Sequence, residues 1–74
     1  MNEKMMETGR MLHKANQIAL NFAAYPRPQA VGYVADHIKK FWTPMMRQQI
    51  AAYVKGGGQG LHELAIEAVK TIKE

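Results

Sequence analysis

Residues 35–47 read ADHIKKFWTPMMR, and the Thr43-Pro44 pair inside them decides how the chain is divided. A threonine side chain can accept a hydrogen bond from the first turn of a helix. Proline suits the first helical position, where its missing N–H leaves nothing unsatisfied. The pair therefore predicts that one helix ends at about Trp42 and another begins at Pro44. Around it stand two doublets, Phe41-Trp42 and Met45-Met46. A helix facing a single core needs one large residue every three or four positions, so the doublets ask for a second explanation.

Working outward, the helix before the reversal is expected from about Pro28 to Trp42, with Val31, Val34, Ala35, Ile38 and Trp42 as its apolar stripe. The helix after it turns Met46, Ile50, Tyr53 and Val54 inward. Lys55 falls in its last turn, where a cation suits the helix dipole, and Gly56 stops it. Further upstream, no proline interrupts Glu3 to Ala24, and Met11, Ala15, Ile18 and Phe22 recur at helical spacing, flanked by Leu12 and Ala19. Arg10, Lys14, Gln17 and Asn21 lie on the opposite face. Gly9 costs about 1 kcal/mol relative to alanine in a helix interior, so residues 1–8 are expected to fray. Pro26 and Pro28 end this helix and bias Tyr25 and Arg27 toward extended backbone.

The glycine-rich stretch at residues 56–60, GGGQG, reads as a flexible joint. A fourth helix follows, with Leu61, Leu64, Ala65, Ala68 and Ile72 on one face and Glu67 paired with Lys70 on the other. Nothing alternates with period two. The expected fold is all-α: one domain over residues 1–74, a bundle of four short helices. Its expected core comprises Ile18, Phe22, Val34, Ile38, Trp42, Met46, Ile50 and Leu64.

A chain of 74 residues makes a small core. Domains near this size bury roughly 60% of the surface they expose when unfolded, and one such core supplies about 3–5 kcal/mol. There is no cysteine, which excludes disulfides, thiolate metal sites and thiol chemistry. Association with another chain is the remaining way to gain stability. The net charge of +4 suggests an acidic partner, but the cations are scattered with no basic run of the kind found in nucleic-acid-binding tails, and a solvated surface is the favoured reading. No apolar run approaches the ~20 residues that span a bilayer, and Glu3 and Glu7 break the pattern of a secretory signal. A cytoplasmic location is the expectation.

Candidate catalytic sites do not survive inspection. The glycine stretch lacks the Lys-Ser/Thr of a phosphate-binding loop, since Gly60 is followed by Leu61 and His62. His13, His37 and His62 fall on separate expected helices, and no pair has metal-binding spacing. Asp36 and His37 diverge by about 100° on a helix, and Asp36 is better placed to pair with Lys40. No serine or cysteine is present to act as a nucleophile. Arg47, Gln48 and Gln49 after a tight turn suggest a helix-turn-helix, but Met45 and Met46 occupy the turn that should meet bases. The expectation is a non-enzyme that binds no cofactor or metal.

The doublets then read as two surfaces. On a wheel at roughly 100° per residue, Val31, Ile38 and Trp42 centre one face of the second helix. Gln29, Gly32, Asp36, Lys39 and Lys40 form the polar arc. Between them lies a strip of Ala30, Tyr33, His37 and Phe41, and Met45 and Ile66 also fall off the core faces of their helices. Such excess apolar surface suits a covering partner. Trp42 is assigned to the core; Tyr33, His37, Phe41, Met45 and Arg47 are assigned to a partner.

The same stretch, with KANQIALNFAAYP (residues 14–26) before it and GGGQGLHELAIEAV (residues 56–69) after it, resembles the delta subunit of NAD-dependent formate dehydrogenase. The match runs through Ala15 to Ala19, His37, Ile38, Phe41, Trp42, Pro44, Met46, Arg47, Gly60 and Leu61. Thr43 stands where the family pattern has an acidic residue, and Met45 where it has an arginine. The resemblance implies a small non-catalytic subunit of a cytoplasmic complex that oxidises formate and passes electrons to NAD. It also implies that molybdenum or tungsten pterin, iron–sulfur clusters, FMN and the NAD site are carried by other subunits. The implied partner is the catalytic alpha subunit. Two other readings fit the residues: a small basic nucleic-acid-binding module, and a homodimer that covers the same strip.

Overall fold

Prolines and glycines cut the chain into α1 (Thr8–Phe22), α2 (Arg27–Phe41), α3 (Pro44–Lys55) and α4 (Glu63–Thr71). The computed structural model describes residues 6–72. Among the described residues there is no strand, and the fold is all-α. The expectation that residues 1–8 fray falls largely on residues 1–5, outside those described. Met6 is held on both sides of its backbone: its N–H donates to Gln49 Oε1 (2.9 Å) and its carbonyl accepts from Gln49 Nε2 (2.6 Å). Gly9 lies in the first turn of α1.

The spine of the bundle is α2 laid against α4; α1 touches both, and α3 packs on α4. Close approach is possible because the contacting positions are small. Ala15 and Ala19 of α1, Ala30 of α2, and Ala65 and Ala68 of α4 are fully buried, and small side chains bring helix axes toward the short end of the ~8–10 Å range. Larger groups fill the remaining space: Met11, Val34, Ile38 and Ile50 have essentially no exposure, with Leu64, Ile18 and Trp42 nearly as deep. Phe22 and Met46 are half-buried at the edge of this core.

The reversal is built as its residues dictate. Trp42 leaves helical backbone (ψ 142°) while its N–H still closes the last turn on Ile38. Thr43 is extended, and its hydroxyl accepts the Met46 N–H at 3.2 Å. Pro44 opens α3. Arg47 ties the corner together by donating from Nη1 to the Trp42 carbonyl at 2.8 Å.

Several local expectations need correction. Helix α2 starts one residue early, with Arg27 helical and Pro28 second. A proline tolerates either first-turn position because neither N–H has an intrahelical acceptor. Ala30, expected on the partner strip, is in the core. Asp36 pairs with Lys39 (3.8 Å) rather than with Lys40. Glu67 pairs with Arg27 across the α2–α4 contact (2.7 Å), not with Lys70 on its own helix. Leu61 and His62 precede α4 instead of lying in it. His62 caps it, with Nδ1 accepting the Leu64 N–H at 3.0 Å.

The glycine stretch is a set of tight turns. Gly57 N–H bonds to the Val54 carbonyl and Gly58 N–H to that of Tyr53. That pattern ends α3 in a Schellman motif. In it Gly57 stands at φ 125°, and Gly58 follows at φ 64°, backbone that side chains other than glycine rarely adopt. Ile66, expected off the core, closes over this turn: a Cβ on Gly58 would stand 3.2 Å from its side chain.

Candidate partner-binding face

Consecutive residues on a helix point about 100° apart, and α2 ends between Phe41 and Trp42. The chain turns the indole inward, leaving Trp42 at 6% exposure, while Phe41 stands out at 70%. One turn before Phe41, the His37 ring lies 4.7 Å from it, centroid to centroid. Both rings border a cleft of ≈ 290 Å³. His13, Lys14 and Gln17 of α1 form the facing wall, and Trp42 and Met46 contribute to the lining. Phe41 is the most exposed large apolar side chain among those described.

The five residues assigned to a partner do not share one place. His37 and Phe41 meet at this cleft. Tyr33 lies about 12 Å further along α2, at 1.5 Å per residue. There it joins a separate aromatic cluster with Phe22 (5.4 Å) and Tyr25 (5.0 Å). Met45 is exposed, but lines a different groove with Gln48, Gln49 and Ala52. Arg47 is half-buried and already donates to the Trp42 carbonyl. Sequence spacing alone did not place His13 and Lys14 opposite Phe41, because they belong to the polar side of α1 on a helical wheel.

Asn16 is the residue that periodicity overlooks. Its Nδ2 donates to the Gly60 carbonyl (3.0 Å) and its Oδ1 accepts the His62 N–H (2.8 Å), so one amide fastens the start of α4 to α1. An amide can satisfy a carbonyl and an N–H at once; the glycine turn 44 residues away is what makes that useful.

Charge is distributed unevenly. Glu63 and Glu67 both pair with Arg27, and Asp36 pairs with Lys39. Hydrogen bonding and attraction to Glu67 raise the Arg27 pKa above its ordinary value. A raised cation pKa contributes stability at every pH below the ordinary arginine range and loses it only above, so the Arg27 guanidinium adds no pH dependence near neutrality. Arg10, Lys14, Lys40, Lys55 and Lys70 have no carboxylate partner among the described residues. The displayed surface is therefore cationic.

Among the described residues, no group of three or more His, Asp or Glu side chains is gathered as a metal site, and a thiolate-held iron–sulfur cluster has no cysteine to bind. No helix among them is long and apolar enough to cross a membrane.

Fold and surface together define a small four-helix protein whose prominent feature is an exposed aromatic at the rim of a cleft between α1 and α2. Residues 10–69 match the family model described as NADH-dependant formate dehydrogenase delta subunit FdsD, and the chain belongs to that family. It is thus a small subunit of a formate dehydrogenase complex. No curated protein matches it, and no solved structure does.

Proposed function

We propose that the chain is a non-catalytic subunit that docks on the catalytic alpha subunit of the cytoplasmic formate dehydrogenase complex and stabilises it or assists its assembly. The observation that carries this reading is Phe41, exposed beside His37 and above a cleft walled by α1. An aromatic held out of its own core is a common anchor at protein interfaces, where a few buried rings dominate the binding energy. Tyr33 in its own aromatic cluster, Met45 in its separate groove and Arg47, which also holds the α2–α3 corner, then serve as secondary contacts away from the anchor. The pterin, iron–sulfur, flavin and NAD chemistry belongs in this reading to the other subunits.

Affinity purification of the tagged chain from its native cell, at low and at high salt, tests it. The alpha subunit should co-purify and stay bound as salt rises. The alternative, a basic nucleic-acid-binding module, is supported by the five cations that have no carboxylate partner among the described residues. It predicts instead a bound polyanion whose affinity falls steeply with salt, because phosphate binding releases counterions. Recovery of nucleic acid without the alpha subunit would reject the subunit reading.

A further inference from the structure

A second groove runs between α3 and α4, ≈ 560 Å³ in volume. Ala51, Ala52, Val54 and Val69 give it a mostly apolar lining, completed by Gln48, Lys55 and Lys70. Each lysine lies in the last turn of its helix, where the helix dipole favours a cation. That accounts for the sign of the charges but not for an open apolar trough between them. Lys70 is set free by the long-range pairing of Glu67 with Arg27, and Lys55 likewise has no carboxylate among the described residues.

We infer that this groove is a second docking site, and that its occupant is an acidic amphipathic helix of a partner protein. The alanines let a helix axis approach closely, and a ridge of apolar side chains fits a trough between two helices. Carboxylates flanking that ridge meet Lys55 and Lys70, the charge complement that fixes orientation and register. None of the groove residues lines the cleft of Phe41, although Gln48 and Ala52 also line the groove of Met45, so an occupant here can be held together with one at the Phe41 cleft.

Lysine acetylation of the purified complex, compared with the isolated chain, reads both sites in one experiment. Labelling of Lys55 and Lys70 should fall by about tenfold on assembly, as at interfaces that exclude water. Lys14 reports the Phe41 cleft, and Lys39, paired with Asp36 on the polar arc of α2, serves as the unaffected control. Carbodiimide should then join Lys55 or Lys70 to partner carboxylates spaced three or four residues apart. Ala52→Trp, at an exposed position, should fill the trough and restore Lys55 and Lys70 labelling while Lys14 stays protected. Unchanged labelling of Lys55 and Lys70 in the complex overturns this inference, whatever Lys14 does; loss of Lys14 protection alone bears only on the Phe41 face. Cross-links to a second copy of this chain, or protection abolished by nuclease, would overturn the assignment of the occupant.

Discussion

At the scale of the residue, the doublet Phe41-Trp42 is resolved by the helix end that falls between its members. Trp42 is in the core at 6% exposure, and truncating it removes apolar burial and leaves a cavity. Trp42→Ala should cost about 3–5 kcal/mol. The whole core of a chain this size supplies about as much, so the isolated mutant should lack helical circular dichroism at room temperature. A mutant that keeps both its helicity and its melting temperature would show that the indole contributes no core packing. The two orientations were legible in advance because they depend only on helical geometry and on where Thr43-Pro44 interrupts it. The environments of Arg47 and Asn16 were not. Arg47 turns back to the Trp42 carbonyl and Asn16 reaches Gly60 and His62. Backbone acceptors of that kind are set by how distant turns come together, and no side-chain pattern announces them.

At the scale of the element, helix existence and the Thr43-Pro44 reversal were legible, and the chemistry of the glycine turn was not. Apolar periodicity and the prolines located all four helices to within a few residues. The glycine stretch was read as slack, whereas its glycines supply the positive φ angles that end α3 and aim α4. Glycine composition alone cannot separate a loose linker from a Schellman turn. Gly58→Ala distinguishes them: a Cβ there combines strained backbone with a 3.2 Å approach to Ile66. The cost should be about 1–3 kcal/mol, which in a domain this small lowers Tm by roughly 4–8 °C for each kcal/mol. A slack linker would tolerate the change, and an unaltered Tm would support it. Thr43→Ala should be milder, about 1 kcal/mol, since only the cap to the Met46 N–H is lost.

At the scale of the whole molecule, the charges show where local reasoning ends. The i to i+3 rule expected Lys70 to hold Glu67; instead Arg27, 40 residues earlier, holds both Glu67 and Glu63. The apposition of α2 and α4 brings them together, and local spacing says nothing of it. Exposed pairs of this kind contribute little to stability. Their larger consequence is to leave Lys14, Lys55 and Lys70, on the faces proposed to meet partners, without a carboxylate among the described residues. The overall fold and the family were legible; the division of the apolar strip into two aromatic patches, and the presence of a second groove, depend on tertiary placement.

The claim that a partner covers Phe41 can be tested on one mutant. Phe41→Ala removes a side chain that is mostly in solvent, so the isolated domain should keep its melting temperature, the change staying within about 0.5 kcal/mol. Titrated against the catalytic subunit, the same protein should bind roughly thirtyfold more weakly, the equivalent of about 2 kcal/mol. A mutant that melts early yet binds, once folded, with wild-type affinity would contradict the account and return Phe41 to the core.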